Sequence, residues 1–382
     1  MNQTLATQIK GIWDESRLGW LGCTWFDKFG PKSLVRLHKA FGENHGEKAW
    51  QAGLDELIGA GIGEAAAKEF LSWRQKIELQ ELTETLAKDS IDFVLPWDMQ
   101  YPAPFKNSST PPAALFWRGA KITKRPWIAV VGTRKMSAYG KNATRQIVGE
   151  LAQAGAGIVS GMALGVDACA HETALENNAQ TVAILGGGID NPTIYPRHNQ
   201  ALAERILLNN GVIMSEFKPK TPGLRQNFPQ RNRLIATLAQ AVVVVEAGQD
   251  SGSVLTAKLA LDENRDVFAV PGPITSTGSI GTHELLRQGA QLCTSGKDVL
   301  ASSASATLTS APERPLTDEE HRILDMCRTS IHVDELTRLL NSSPAVIGAT
   351  CTTLEMMDAL QELEPQTYQL TPKGRQMLLN SK

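Results

Sequence analysis

The stretch from Trp127 to His171 constrains the fold of this 382-residue chain more than any other part. An apolar run over 127–131 ends at a glycine, a helical pattern follows over 137–153, and a second apolar run covers 157–161. Two such runs separated by a helix indicate a right-handed β-α-β unit on a parallel sheet. Ligands of such sheets bind where strand carboxyl ends meet helix amino ends.

The same rhythm of short apolar runs and helical stretches continues to residue 300. The runs are near-continuous and not alternating, which is typical of parallel strands covered on both faces. The sequence therefore predicts a doubly wound, mostly parallel α/β domain over 99–300. Its strand candidates are 127–131, 156–160, 180–185, 211–215, 241–246, 266–270 and 290–294.

Helical modules are predicted on both sides of this domain. A helical module is predicted over 1–98. Residues 1–90 show no strand pattern, and the glycines at 59, 61 and 63 resemble the turn of a helix-hairpin-helix (SAM-like) module, whose N–H groups can meet a DNA phosphate. The acidic surroundings favour a purely structural module instead. The proline-rich connector over 91–126 is expected to tie this module to the sheet.

The chain after the α/β domain begins with small residues and prolines, which predict a linker over 301–316. Three helical patterns and a short strand follow over 317–382, with helices near 317–328, 332–341 and 344–361. This arrangement indicates a winged-helix-like domain. Its acidic composition argues against strong DNA binding, so a protein-contact role is equally open.

Charge is distributed unevenly behind the net value of −2. The α/β domain carries 20 lysines and arginines against 14 acids, and no acid occurs between Asp98 and Glu150 or between Glu216 and Glu246. Two acid-free windows in one domain suggest a polyanion partner. Chance clustering of solvated charges is the alternative.

Composition excludes several other classes of protein. The five cysteines form no C-x-x-C pair, which argues against a zinc site or a disulfide framework and fits a reducing cytoplasm. No apolar run approaches the roughly 20 residues of a membrane span, and the amino terminus lacks a signal-peptide core. We predict a cytoplasmic protein with no metal site.

Nucleotide-cofactor motifs are absent from the expected positions. A dinucleotide site needs G-x-G-x-x-G after the first strand, where this chain has Gly132-Thr133-Arg134-Lys135-Met136. The nearest match to a P-loop, Gly140-Lys141-Asn142, has the wrong spacing and lacks the hydroxyl that would hold magnesium. No cofactor is therefore predicted.

Several loops nevertheless have the composition of phosphate contacts. Gly132, Thr133 and Arg134 offer backbone N–H groups and a guanidinium, and glycines recur at 161 and at 186–188. The segment 227–233 adds an aromatic ring and two guanidiniums, which suit single-strand binding because bases stack on rings and phosphates meet cations. The candidates are Phe228, Arg231 and Arg233; core packing of the ring and ion pairing of the arginines are the alternatives.

Asp167 and His171 are four residues apart and so share one helical face. They can be interpreted as an acid/base pair. The favoured interpretation is structural, with the aspartate near a helix start and the histidine hydrogen-bonded.

The ordered motifs resemble those of the DNA-processing protein A (DprA, also called Smf) family over about residues 100–300. They comprise Val131-Gly132-Thr133-Arg134, Ser160-Gly161-Met162-Ala163 with Gly165-Val166-Asp167 and Ala170-His171, Gly186-Gly187-Gly188-Ile189-Asp190 with Tyr195-Pro196, Ser215-Glu216, Phe228-Pro229 with Arg231-Asn232-Arg233, Ser251-Gly252-Ser253 with Thr256-Ala257, and Val270-Pro271-Gly272. The flanking modules match in arrangement only.

The resemblance implies an extended Rossmann-like domain and a protein of natural transformation that is not an enzyme. Such proteins bind and protect incoming single-stranded DNA, displace single-strand-binding protein, load the RecA recombinase and form homodimers. The implied DNA site consists of Gly132, Thr133, Arg134, Gly161, Lys220, Phe228, Asn232 and Arg233, to which the residue pattern adds Arg231. The implied dimer and RecA surface consists of His283, Leu286, Arg287 and Leu292.

Two other functions remain open. A nucleotide phosphoribohydrolase can use the same kind of sheet, but such enzymes usually carry P-G-G-x-G-T-x-x-E, and the comparable loop over 247–253 lacks that glutamate. Alternatively, the chain is an interaction scaffold whose outer modules carry the function.

Overall fold

The computed structural model describes residues 13–301, 316–357, 359–371, 374–375 and 377–378. The chain divides into two compact units, Met1–Ala304 and Ser305–Lys382. The predicted linker over 301–316 lies almost entirely outside the described residues. Within the described ranges, no helix is both long and apolar enough to span a bilayer.

Six helices open the described part of the first unit, which begins at Trp13. Trp20, Leu37, Leu57 and Phe70 are fully buried among them and form the centre of their core. The predicted hairpin is present, and Gly61 adopts a positive φ of 84° at its turn. The helices are α1 Glu15–Trp25, α2 Pro31–Phe41, α3 Gly46–Gln51, α4 Leu54–Gly59, α5 Glu64–Arg74 and α6 Leu79–Lys88.

The rest of the described first unit is built around a nine-stranded sheet, in the order β1-β2-β6-β5-β4-β3-β7-β8-β9. The seven strands from β6 to β9 in this order are parallel, whereas β1 and β2 form an antiparallel margin beside β6. The predicted mostly parallel α/β fold is confirmed. The strands are β1 Asp92–Val94, β2 Leu115–Gly119, β3 Trp127–Val131, β4 Gly157–Ser160, β5 Thr181–Ile184, β6 Val212–Ser215, β7 Ala241–Val244, β8 Asp266–Ala269 and β9 Gln291–Leu292.

Strand β1 lies in the predicted connector over 91–126, within the bounds 1–98 of the module predicted to be helical. Its three residues pair with β2, from Asp92 opposite Trp117 to Val94 opposite Leu115. So short a strand carries no periodic signal, and it forms because β2 offers an open sheet edge to pair with. The sheet therefore begins before residue 99.

Helices cover both faces of the sheet because the side chains of each strand alternate between faces. Along β3, Ile128 and Val130 pack with Ile147 of α8, whereas Ala129 and Val131 pack on the opposite face, in the core to which Leu234 of α11 belongs. The helices are α7 Ala103–Lys106, α8 Ala138–Gln153, α9 Val166–Glu176, α10 Gln200–Leu208, α11 Asn227–Leu238, α12 Gly252–Asp262 and α13 Ile280–Arg287, followed by a helical segment over 296–301.

Strand β3 lies at the topological switch point of the sheet. The chain leaves it through α8 to β4 on one side, and returns through α11 to β7 on the other. At such a point, loops from neighbouring strands diverge and leave a crevice at the carboxyl edge. This edge therefore brings together the loops that follow β3, β4, β5 and β7.

Among its described residues, the second unit contains a three-stranded sheet in the order β10-β12-β11 and three helices of eight or more residues. Ile323, Leu336, Ile347 and Leu354 are buried at its centre. The winged-helix prediction is confirmed, but the third helix ends at Met356 rather than near 361, because Leu360 pairs with Leu370 in the sheet. The elements are α14 Asp318–Met326, β10 Ile331–His332, α15 Val333–Leu340, α16 Pro344–Met356, β11 Leu360–Glu364 and β12 Thr367–Leu370.

Two glycines test the packing around β3. A Cβ added at Gly157 of β4 would lie 2.3 Å from the Trp127 ring, whereas one added at Gly149 of α8 would meet only Asn177 at 3.9 Å. We expect Gly157→Ala to destabilise the first unit by about 1–3 kcal/mol through overpacking. Gly149→Ala should stabilise it by about 0.5–1 kcal/mol, because alanine favours a helix interior.

Urea unfolding followed by tryptophan fluorescence measures both effects, since all eight tryptophans lie between residues 13 and 127, in the first unit. Equal midpoints for the two variants would contradict the packing around β3.

Candidate nucleic-acid interface

The loop after β3 is fixed by the neighbouring strand and helix. The N–H of Thr133 donates to the carbonyl of Glu246, at 2.8 Å, just beyond β7. Gly132 is required because a Cβ there would lie 2.6 Å from the Val166 side chain. Arg134, which follows Thr133, is exposed at the carboxyl edge of the sheet. The loop therefore presents one free guanidinium on a fixed backbone.

The loop after β4 lies directly against this first loop. The N–H of Val166 donates to the carbonyl of Thr133 at 3.2 Å. Gly165, the residue before Val166, has a positive φ of 77°, and a Cβ there would lie 2.3 Å from the carbonyl oxygen of Thr133. The carboxylate of Asp167 accepts the N–H groups of Gly161 and Ala163 at 3.1 and 3.2 Å. Asp167 thus caps the turn that begins α9.

Arg231 lies inside the protein, beneath the site. It is 5% exposed, and its Nη1 donates to the carbonyls of Gly161 and Ile184 at 2.5 and 2.6 Å. Burial lowers the pKa of Arg231 to about 10, and the charge of Asp167 opposes that change. Arg231 therefore remains charged at neutral pH and joins the ends of β4 and β5.

An aromatic pair lies above this buried guanidinium. The half-buried ring of Phe228 stacks with Tyr195, with centroids 6.2 Å apart and planes 22° apart. The Cζ of Arg134 lies 5.1 Å from the Phe228 centroid, and that of Arg231 lies 5.8 Å away. Gly186 makes room for this ring, because a Cβ there would lie 2.8 Å from the Phe228 Cδ1.

The cleft between these groups is shallow, with a volume of about 40 Å³. Tyr195 is 49% exposed at its mouth. Pockets that enclose a small ligand usually have roughly 300–1,000 Å³. Its shape therefore suits a chain that passes over the surface better than an enclosed nucleotide. The lining residues are Arg134, Gly161, Ala163, Leu164, Gly186, Tyr195, Pro196, Phe228 and Arg231, and none of these is acidic.

The other sequence candidates lie around the cleft or away from it. Asn232 is buried and its amide donates to the carbonyl of Gly252 at 3.2 Å. Lys220 is exposed, on a loop that packs against Gly187. Arg233 points elsewhere: it forms a short ion pair with Glu216, as the alternative interpretation of the sequence expects. Arg233 lies in the second acid-free window of the sequence, and Glu216 at the boundary of that window neutralises its charge.

His171 and Asp167 do not touch as an acid/base pair. The Nδ1 of His171 lies 2.7 Å from the hydroxyl of Thr181, which itself donates to the carbonyl of Ile158 at 3.0 Å. The histidine proton must therefore be on Nδ1, and Nε2 is buried without a hydrogen-bond partner in the described structure. Burial, together with the charge of Arg231, lowers the pKa of His171 to about 3. The geometry agrees with the structural interpretation.

Sequence reasoning missed Tyr195 and Glu246. Tyr195 occurs in the sequence analysis only within the Tyr195-Pro196 motif, although an aromatic residue after the glycines that follow β5 is a usable signal. Glu246 is buried, and its carboxylate accepts the N–H and the hydroxyl of Ser137 at 2.9 and 2.5 Å. No local pattern in the sequence indicates that contact.

The predicted dimer and RecA residues lie together at the far margin of the sheet. Leu292 is 55% exposed on the edge strand β9, and Arg287 is exposed on α13. His283 is bonded through Nε2 to the carbonyl of Gly272 at 3.0 Å, and Leu286 is partly buried. An exposed edge strand with an apolar side chain is able to pair with another chain.

A larger cavity, of about 920 Å³, lies at the opposite edge of the sheet, beside the start of β3. Trp117 and Trp127 on its wall are buried, and Trp13 has Phe93 stacked on its ring and the Arg17 guanidinium over it. Because these rings are buried or already in contact with other side chains, the size of this cavity does not make it the nucleic-acid site.

Comparison with known families gives two matches along the chain. Residues 92–304 match the family described as DNA recombination-mediator protein A, and residues 307–364 match the DprA winged helix domain.

Individual relatives agree with these matches. The chain is 42% identical to Protein Smf of Escherichia coli over 209 residues, which are 54% of this chain and 55% of that protein. It is 41% identical to the DNA processing protein DprA of Streptococcus pneumoniae over 214 residues, which are 55% of this chain and 72% of that protein. The chain thus spans little more than half the length of the E. coli relative.

Two solved structures are similar to this one. DNA processing protein A of S. pneumoniae superposes with a TM-score of 0.63 at 31% identity, covering 76% of this chain and 98% of that chain. DNA processing protein A of Helicobacter pylori gives a TM-score of 0.50 at 31% identity, covering 56% and 96%.

The buried neutral histidine predicts acid sensitivity of the first unit. The pKa of His171 is about 3 in the folded protein against 6.5 for the free side chain, so below pH 6.5 the unfolded chain binds a proton that the folded protein excludes. Stability is therefore lost as the pH falls from 6.5 towards 3, by about 1.4 kcal/mol per unit from this group.

Urea unfolding of wild type and His171→Gln at several pH values tests this, because glutamine keeps a donor for Thr181 but does not titrate. The wild-type curve should be the steeper one between those limits. Parallel curves would contradict the assignment.

Proposed function

The chain belongs to the DNA recombination-mediator protein A (DprA/Smf) family, and from that premise we propose that it binds single-stranded DNA at the cleft around Arg134, Tyr195 and Phe228. The observation that carries the proposal is the exposed guanidinium of Arg134 beside an accessible aromatic pair at the switch point of the sheet. A single strand offers both a phosphate for the cation and an unpaired base for the rings.

The chemistry of the cleft favours a polymer over a free nucleotide. Its lining residues carry no carboxylate that could act as a general acid or base. The buried Asp167 is already occupied by the N–H groups of Gly161 and Ala163. What remains available is one guanidinium, backbone N–H groups and ring faces, which are binding groups and not catalytic ones.

The family relatives support the same class of ligand. The solved structure of the H. pylori protein describes a single-stranded DNA binding mode for that protein. Its fold and sequence are similar to those of this chain over 56% of this chain's length. The S. pneumoniae relative is a DNA processing protein by name.

We assign the predicted DNA residues different roles within the site. Arg134 and Phe228 contact DNA directly, with Lys220 at the margin, and Gly132, Thr133 and Gly161 supply the close-approaching backbone. Arg231 and Asn232 act from beneath, because their polar groups bond to protein carbonyls. The Arg233 guanidinium is paired with Glu216, so its contribution to DNA binding is the smallest.

The proposed role of the whole protein is that of a mediator in natural transformation. It would protect incoming single-stranded DNA, displace single-strand-binding protein and load the RecA recombinase. The surface of His283, Leu286, Arg287 and Leu292 would hold a second copy of the chain and RecA. Its position at the sheet margin, remote from the cleft in strand order, leaves DNA and partner free to bind together.

The alternative is a nucleotide phosphoribohydrolase on the same kind of sheet. Incubation with nucleoside monophosphates followed by an assay for free base separates the two functions. Release of base at a steady rate would replace the binding proposal with the enzyme.

We predict that Arg134→Ala and Phe228→Ala each weaken binding of a labelled oligo-dT strand. Loss of one phosphate contact should reduce the slope of log affinity against log salt by about 0.7 for Arg134→Ala. Loss of a stacking ring should cost about 1–3 kcal/mol for Phe228→Ala. Fluorescence anisotropy over a salt series measures both quantities.

The matched control is Arg145→Ala, because Arg145 is an exposed arginine of the same domain that pairs with Glu176 on the surface. It should leave affinity and slope close to the wild-type values. Unchanged binding in both cleft variants would refute the site.

We also predict that Leu292→Lys converts a homodimer into a monomer, because a charge on an edge strand opposes pairing. Leu261→Lys is the control: Leu261 is 56% exposed, nearly as much as Leu292, but lies on α12. Light scattering after size-exclusion chromatography gives the mass of each variant. If the dimer survives Leu292→Lys and dissociates with Leu261→Lys, the dimer interface lies at α12 and not at β9.

A further inference from the structure

The unit β3-α8, which is the first β-α unit of the parallel sheet, encloses a carboxylate from another part of the chain. The Glu246 side chain lies between the end of β3 and the start of α8, and it is 5% exposed. Its Oε2 accepts the backbone N–H of Ser137, at 2.9 Å, and its Oε1 accepts the hydroxyl of the same residue, at 2.5 Å. Ser137 is the N-cap of α8 and accepts the N–H of Gly140 at 3.0 Å.

The helix end is shaped to fit this carboxylate closely. A Cβ at Gly140, in the first turn of α8, would lie only 2.1 Å from the Glu246 Oε2. A glycine in that place lets an anion approach the helix backbone, which is the part that a glycine plays beside a dinucleotide pyrophosphate. The carboxylate therefore lies where a doubly wound sheet usually receives a ligand phosphate.

No cation neutralises this buried charge within the described structure. None of the ion pairs found among the described residues includes Glu246. Its compensation comes from the Ser137 donors and from the positive end of a 16-residue helix.

Glu246 also fixes the protein loop after β3, which carries Arg134, through its main chain. The carbonyl of Glu246 accepts the N–H of Thr133, one residue before Arg134. Side chain and main chain of one residue thus hold both ends of the turn from β3 into α8.

We propose that Glu246 is a built-in anion that closes the phosphate position of the first β-α unit. It excludes the phosphates of free nucleotides from that position and holds the turn so that nucleic-acid phosphate meets Arg134 on the outer side of the loop. The second part rests on the proposed function, and the first part does not. Glu246 is a positioning and specificity-determining residue and contacts no DNA.

The test is replacement of the carboxylate by a small molecule. Glu246→Ala removes the atoms that acetate contains, namely one carbon and the carboxylate attached to it, and leaves an anion-sized space at the helix end. Glu246→Gln is the matched control, because it fills the same space with a neutral group. Thermal unfolding by tryptophan fluorescence, with acetate replacing chloride at constant ionic strength, compares both variants with wild type.

We expect Glu246→Ala to melt below wild type in chloride and to gain about 3 °C or more in acetate, a shift within the range of a small stabilising contact. Wild type and Glu246→Gln should not respond to the exchange. The affinity of Glu246→Ala for oligo-dT should fall several-fold in chloride and recover in acetate. An equal response of all three proteins, or none in Glu246→Ala, would overturn the proposal.

Two further measurements cover a variant that does not fold and a wild type that does not bind DNA. If Glu246→Ala does not fold in chloride, the yield of refolding in acetate against chloride gives the same answer, and no gain in acetate overturns the proposal. If wild type fails to bind oligo-dT, the proposed function is wrong, while the melting comparison still decides whether Glu246 fills an anion position.

Discussion

The cleft depends on one buried guanidinium. Arg231 donates to the carbonyls at the ends of β4 and β5, and Asp167 takes the N–H groups of Gly161 and Ala163 in the same turn. The backbone of that turn is not paired in the sheet, and buried polar groups must find partners elsewhere. Removing either charge would leave the other uncompensated in the interior, which is strongly destabilising.

The internal charges also decide what the surface can bind. Asp167 and Glu246 occupy the inward-facing N–H groups after β4 and at the start of α8, so only the outward groups remain for a ligand. Arg134 is then the exposed cation over the aromatic pair. A shallow cleft with one cation and ring faces suits a strand that crosses it. It does not suit a cofactor that must be enclosed.

The two acid-free windows of the sequence supply fewer available cations than their numbers of lysines and arginines suggest. Arg145 pairs with Glu176, Lys218 with Asp27 and Arg233 with Glu216, each across a large distance in sequence. Arg118 donates to the carbonyl of Ile189 at 2.9 Å. Local charge patterns report composition, whereas folding decides which charges meet. The windows of the sequence therefore overstate the positive charge that is available to a ligand.

The sequence by itself determined the parallel sheet, the winged-helix-like domain and the loops that meet at the carboxyl edge. Strand runs and glycine breaks are local, and the period of apolar residues fixes which face each side chain takes. Only the tertiary structure decided that β1 joins the sheet, that Arg231 faces inward and that Glu246 reaches Ser137. These contacts join residues far apart in sequence, and their energies depend on burial and on distance, which no local pattern contains.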